Sequence, residues 1–164
     1  MNHVVIHVGD LKETYFREAF GEYKKRLSAF GGLEELVLKP AKTAGRDLSA
    51  EEIRLALEKE GEAFRSVLHQ PKIQKSFKIA LCIEGKSMDS PSLARLYEEI
   101  AQSGKNTVTY LIGGSWGIHP SVKAEADLRL SFSPMTFAHS LFAVMLSEQI
   151  YRAESILRGN GYHK

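Results

Sequence analysis

Tyr110-Leu-Ile-Gly-Gly-Ser-Trp-Gly-Ile118 reads as a buried strand that runs straight into a glycine turn. Further on, Leu130-Ser-Phe-Ser-Pro-Met-Thr-Phe-Ala-His139 is a short polar loop leading into an apolar helix, and the chain then reaches Tyr162-His163-Lys164. Glycines at the end of a strand are common in α/β proteins, because only they let a backbone approach a ligand closely. The distinctive part is the second piece. A polar loop, a strongly apolar helix and a polar aromatic tail form an unusual ending, since terminal residues ordinarily fray.

Working outward from those stretches, hydrophobic period and chain breakers predict alternating elements. A strand is expected at 3–8, then a helix from Leu11 to Ala29 with Phe16, Phe20, Tyr23 and Leu27 on one face. A second strand at 33–38 ends at Lys39-Pro40, and a polar loop containing Gly45 follows. Ser49-Ala-Glu-Glu52 fits a capping box that opens a helix to His69. Phe77 to Glu84 is the third strand, with an apolar centre suited to burial on both faces. Ser90-Pro91 starts a helix through Ile100, and Thr107 to Ile112 is the fourth strand. His119-Pro120 opens a short helix to Ala126, Leu128 to Phe132 is the fifth strand, and Ala138 to Leu157 is the last helix. This alternation predicts an α/β fold with a mostly parallel sheet flanked by helices, as a single domain over residues 1–164.

Composition narrows the class. Apolar residues make up 43% and charged residues 26%, which excludes disordered and membrane classes. The longest apolar run, Leu141 to Leu146, is too short to span a bilayer. The first residues begin as a strand, with no export signal, and the single cysteine, Cys82, fits a reducing cytoplasm. With 22 basic and 20 acidic residues the net charge is +2, far below that of a protein that wraps naked nucleic acid. An RNA partner would need a local patch or a large structured target.

In open parallel sheets ligands bind outside the carboxyl ends of strands. Here those ends carry Glu84-Gly85-Lys86-Ser87, Gly113-Gly114-Ser115-Trp116-Gly117 and Ser131-Phe132-Ser133-Pro134. Three such loops can line one pocket, or the glycines can simply turn the chain. The Gly-Gly-x-x-Gly spacing is neither a dinucleotide nor a P-loop pattern, so phosphate is disfavoured as ligand. His3 and His7 share one face of the first strand, but no cysteine or carboxylate at suitable spacing joins them, so a structural role is expected and no metal. Trp116 is expected to be exposed, either as a stacking platform or as a lid. Glu148 and Arg152 are spaced for an ion pair on the last helix. That helix is apolar nearly all round and is expected to be buried in the core or against a second copy of the chain.

Four ordered stretches together resemble the ribosomal RNA large-subunit methyltransferase H family, small enzymes of the SPOUT class. They are Leu111-Ile-Gly-Gly with Gly117, Leu130 to His139, Glu148-Gln-Ile-Tyr-Arg-Ala153 and Tyr162-His163-Lys164, joined by Glu22, Tyr23, Arg26 and Gly85-Lys86. The resemblance covers the whole chain. It implies a C-terminal trefoil knot, a homodimer, and S-adenosylmethionine-dependent methylation of N3 of a pseudouridine in the 23S rRNA of an assembled ribosome. By position, it places the cofactor on Leu81, Gly113, Ser133, Pro134, Met135, Thr136, Phe137 and Ala138. It makes His163 the candidate base or proton relay, with Tyr162 orienting or stacking the acceptor base and Lys164 near phosphate, in a tail that reaches the partner's pocket.

The chain also departs from the family pattern. Ala138 stands where the family commonly has Pro, Ala143 where it commonly has Arg, and Trp116 is an uncommon choice in the glycine turn. The missing arginine removes a contact worth about 1–3 kcal/mol. Two alternatives follow from these departures and from fold class: a SPOUT-fold RNA- or protein-binding module with reduced or no catalysis, and a generic nucleotide- or flavin-binding doubly wound domain. The second would need a phosphate-cradling loop.

Overall fold

The computed structural model describes residues 1–43 and 47–164, so the expected loop at Gly45 lies outside the described residues. Five strands, β1 (Asn2–Val8), β2 (Leu33–Leu38), β3 (Phe77–Ser87), β4 (Thr107–Ile112) and β5 (Leu128–Ser131), form one sheet in the order β2-β1-β4-β3-β5. Every pairing is parallel. Parallel neighbours need long crossovers, and these are supplied by helices α1 (Thr14–Leu27), α2 (Ala50–Leu68), α3 (Pro71–Gln74), α4 (Ser90–Gln102), α5 (Pro120–Ala124) and α6 (His139–Leu157).

Alternate residues of β1, β3 and β4 feed two cores. On one face Val5, Ile79, Tyr110 and Leu130 pack with Phe20, Leu93, Leu146 and Ile150 from α1, α4 and α6. On the other, Val4, Ile6, Ala80 and Leu111 meet Phe64, Leu68, Ile73 and Val122 from α2, α3 and α5. Burial on both faces is why the strands read as apolar runs and not as alternations. The Ser49 capping box forms as expected, with the Ser49 amide donating to Glu52 and the Glu52 amide to the Ser49 hydroxyl.

Four features differ from the sequence expectations. Helix α1 starts at Thr14 and ends at Leu27, giving way to a 3-10 turn over Ser28–Phe30 before Gly31 and Gly32, both at positive φ. Helix α3 is a single turn headed by Pro71, too short to carry a hydrophobic period. Strand β3 continues to Ser87 instead of stopping near Glu84. Helix α6 is not enclosed all round: Leu146, Ile150 and Ala153 are fully buried, while Leu141 is 40% exposed.

The extension of β3 matters most for the site. Leu130 of β5 is partnered by Leu81 and again by Lys86, so β3 bends at 82–85 and returns to β5. Gly85 makes this possible, because a Cβ there would stand 2.6 Å from the Leu130 carbonyl carbon.

A buried polar contact ties α6 to β1. The His3 ring donates through Nε2 to the Glu154 carboxylate at 2.7 Å, and among the described residues Nδ1 has no partner. Arg158 bonds the same carboxylate. Burial holds His3 below its ordinary value of 6.5, although Glu154 pulls the other way. Burial also opposes charge on Glu154, but its bonds from His3 and Arg158 outweigh that and hold it below the ordinary 4.5. The expected structural role of His3 is met by this contact. The His7 Nε2 likewise faces Glu35 at 2.9 Å. Among the described residues, no helix is long and apolar enough to cross a membrane.

Both groups have depressed folded-state values, so unfolding takes up protons on the acid side. His3 contributes full stability above about 6.5, the ordinary histidine value, and loses it as pH falls through that value. Glu154 adds a second loss below about 4.5. The melting temperature should therefore drop between pH 7.5 and 5.5, and His3→Gln should flatten that slope. Glu154→Ala should cost about 3–5 kcal/mol in urea unfolding, since it leaves buried partners unpaired.

Candidate functional site

The strand order puts β4, β3 and β5 side by side, so their carboxyl-end loops open into one cavity of about 460 Å³. This volume lies in the usual range for small-molecule sites. Leu81 and Ile112 form its floor, Gly113 to Gly117 one wall, and Ser131 to Ser133 with Met135, Thr136 and Phe137 the other. Phe142 closes the base of the second wall, its ring 4.9 Å from that of Phe132 and 6.1 Å from that of Phe137.

The glycine turn is built for close approach. A Cβ on Gly113 would overlap the Gly117 carbonyl, and Gly117 itself has φ of 82°. Across the cavity, the Ser131 hydroxyl donates to the Ser133 carbonyl at 3.1 Å, and the Ser133 hydroxyl accepts from the Met135 amide at 3.0 Å. Among the described residues, 133–137 make no backbone–backbone hydrogen bonds. Their remaining amides and carbonyls are thus available to a ligand. The charged groups at the rim, Glu84 and Lys123, pair with each other at 2.5 Å. A flat, uncharged group read by backbone atoms suits these walls, and an adenine ring fits that description. The donor set therefore fits S-adenosylmethionine: backbone groups for the base edge, apolar faces from Leu81 and Phe137, and a side-chain-free approach at Gly113.

Of the residues expected to hold the cofactor, Leu81, Gly113, Ser133, Met135, Thr136 and Phe137 line this cavity. Ala138 lines a neighbouring one that shares the wall Gly114 to Trp116, and Pro134 lines neither. Ala138 is the N-cap of α6 with φ of −58°, a value proline also adopts, so alanine here keeps the backbone geometry that proline would impose. Ala143 is fully buried and packs in the core, lining none of these cavities. Trp116 is 44% exposed at the rim, as expected.

The tail is placed elsewhere. Tyr162 and His163 do not line the cavity of their own chain. The Tyr162 hydroxyl donates to Glu148 at 3.1 Å, its ring packs edge-on to Tyr151 at 4.8 Å, and the Arg152 guanidinium lies over it at 4.8 Å. Arg152 in turn donates to Glu148 at 2.9 Å, the pair expected from spacing. Burial, with Glu148 and Tyr23 beside it, pushes the Tyr162 phenol well above its ordinary value. Tyr162 is an anchor, and His163 follows it, its Nδ1 accepting from the Arg152 guanidinium at 3.4 Å. Glu148 and Tyr23 line a second cavity of about 400 Å³, which meets the first at Leu130 and Phe132.

Sequence reasoning did not select His139 as a site residue. Its Nε2 donates to the Gly9 carbonyl at 3.2 Å, and its ring borders the cavity. Its place at the end of the polar loop was the available signal.

Over residues 1–163 the chain matches the family described as "Predicted SPOUT methyltransferase". It is 43% identical over 164 residues to the ribosomal RNA large subunit methyltransferase H of Shouchella clausii, with 100% of both chains covered. Identity to the protein of the same name from Bacillus pumilus is 41%, again with 100% of both chains covered. Among solved structures, a tRNA methyltransferase from Aquifex aeolicus is similar with a TM-score of 0.55 at 14% identity, over 100% of this chain and 74% of that one. That likeness is one of fold.

The anchor generates a prediction. Tyr162→Phe should cost about 0.5–1.5 kcal/mol, the net worth of one hydrogen bond. Glu148→Ala should release the tail altogether. Hydrogen exchange at residues 160–164 should rise sharply in Glu148→Ala while exchange in β1 and β4 stays unchanged.

Proposed function

Because the chain belongs to the ribosomal RNA large subunit methyltransferase H family of SPOUT methyltransferases, we propose that it methylates N3 of a pseudouridine in the 23S rRNA of an assembled ribosome, with S-adenosylmethionine as methyl donor. The observation that carries the cofactor assignment is the cavity walled by Gly113 to Gly117 and Ser131 to Phe137. Bound there, S-adenosylmethionine supplies an electrophilic methyl on a sulfonium.

The acceptor N3 carries a proton that must leave as the new N–C bond forms. His163 is suited to take or relay it, because an imidazole can accept a proton at one ring nitrogen and donate one from the other. Tyr162 holds it in place through Glu148, which changes its part from stacking the base to docking the tail. Lys164 supplies a cation next to it for phosphate. Because the tail lies off its own cavity, we place it at the cavity of a second copy, in a homodimer. Leu141 at 40% exposure and Met135 at 72% are apolar surface that such a copy would cover. A C-terminal trefoil knot belongs to this reading through the SPOUT family match. A structured ribosomal target is in keeping with a net charge of only +2.

The deciding experiment maps 3-methylpseudouridine in ribosomal RNA from cells with and without this protein, then restores it with purified protein, cofactor and ribosomes. Absence of any difference removes the assignment. His163→Ala should slow methylation by about 100-fold or more while calorimetry shows unchanged cofactor affinity. Gly113→Val should abolish cofactor binding first. Equal loss of both activities in His163→Ala would deny the tail its role.

A further inference from the structure

A second opening, of about 630 Å³, lies beside the cofactor cavity, where the loops after β1, β2 and β4 meet the start of α6. The two share Gly114, Ser115, Trp116, Thr136, Phe137 and His139 as a partition. Of the residues assigned to the cofactor, Thr136 and Phe137 line both openings and Ala138 lines this one alone, while Glu60 belongs only to this opening.

Glu60 of α2 projects into its wall. The residue is only 7% exposed, and its two carboxylate oxygens have different fates. Oε1 accepts from the Ala41 amide at 3.1 Å. Among the described residues, Oε2 is buried with no hydrogen-bond partner. Leaving such an oxygen unsatisfied carries a desolvation cost that fold stability does not explain. Burial pushes the Glu60 carboxyl up, against the pull of the Ala41 amide. The glycine turn faces this oxygen: a Cβ on Gly114 would stand 3.1 Å from Oε2. Glycine at 114 keeps that side of the oxygen free of any side chain.

We propose that this second opening receives the acceptor base, with Glu60 Oε2 accepting its N1–H and Trp116 flanking the ring. The inference rests on the methyltransferase function above and deepens it. Pseudouridine differs from uridine at one edge: its N1 bears a hydrogen because the sugar is attached through carbon. N1 and N3 lie on either side of C2. A ring whose N3 faces the cofactor where the two openings adjoin presents N1–H from a separate edge, on the side assigned to Glu60. Uridine has no hydrogen there and would leave the buried oxygen unpaired. A site built to pair a donor rejects the analogue that lacks it far more strongly than an apolar pocket can. Lys12 borders the opening, and Lys39 and Lys42 are exposed on the loop that carries Ala41, giving cations for the flanking phosphates.

Trp116 is the only tryptophan, so its emission reports on this partition without a label. The intact protein, saturated with S-adenosylhomocysteine, is titrated with the 5′-monophosphates of pseudouridine, uridine and N1-methylpseudouridine. Pseudouridine monophosphate should quench the emission with an affinity about tenfold or more above the other two. Glu60→Gln should erase that preference while leaving S-adenosylmethionine affinity within about twofold, as measured by calorimetry. The proposal is overturned if the three nucleotides bind alike, if none quenches, if N1-methylpseudouridine binds like pseudouridine, or if Glu60→Gln weakens cofactor binding instead. The comparison among nucleotides needs no variant, so it stands even if Glu60→Gln does not fold. A protein that leaves ribosomes unmethylated yet prefers pseudouridine monophosphate would sink the function proposed above and not the role of Glu60.

Discussion

The site depends on one strand being held twice by another. Leu130 of β5 is matched with Leu81 before the bend in β3 and with Lys86 after it. A four-residue edge strand would ordinarily be the weakest part of a sheet. Here the return of β3 fixes it, and the absence of a side chain at Gly85 allows the return. The loop over 132–138 therefore leaves from a locked root, beside the equally fixed ends of β3 and β4. Walls that are already in place cost a ligand little ordering on entry.

A second constraint sets helix α6 relative to that loop. At its start the His139 ring donates to the Gly9 carbonyl, the same oxygen that faces His7 Nδ1 at 2.8 Å. Near its end Glu154 takes the His3 ring. One tie runs to β1, a strand buried along nearly its whole length, and the other to Gly9 directly after it. The helix is thus pinned at two points to the most enclosed part of the sheet, and side chains between those points are carried on a rigid rod. Histidines at 3 and 7, which could suggest a metal by spacing, are spent on this attachment and on Glu35.

Much of this was legible in the sequence for identifiable physical reasons. Two-sided burial makes a parallel strand an apolar run, proline and glycine punctuate the crossovers, and Ser49 with Glu52 spells a helix start. The pocket residues on the three loops followed once the motifs at 111–117 and 130–139 were matched to a family. The illegible parts lack a local pattern. Helix α3 is one turn long, so it carries no period. The bend in β3 hides behind a polar stretch, Glu84 to Ser87, that resembles a strand end. Glu60 sits among Glu58, Lys59 and Glu62 on what reads as a solvated face, and only the packing of Gly114 against it reveals the orphan oxygen. The partner of the Tyr162 hydroxyl depends on how the chain turns after Leu157, which no spacing encodes.

The distance between the tail anchor and the cofactor loop then constrains how the site can be completed. Glu148 lies nine residues beyond His139 on α6, about 14 Å along a helix at 1.5 Å per residue. Tyr162 docks on Glu148 through its hydroxyl and Arg152 holds the neighbouring His163, so the docked tail stays beside α6. A rod pinned at both ends cannot bend to close that gap. Either the tail leaves its anchor, giving up the Glu148 hydrogen bond and the packing of Tyr151 and Arg152, or the cavity it serves belongs to another copy. The second course keeps every contact seen in one chain and asks only for an interface. That is the reason the proposed mechanism places docked His163 at the cavity of another copy.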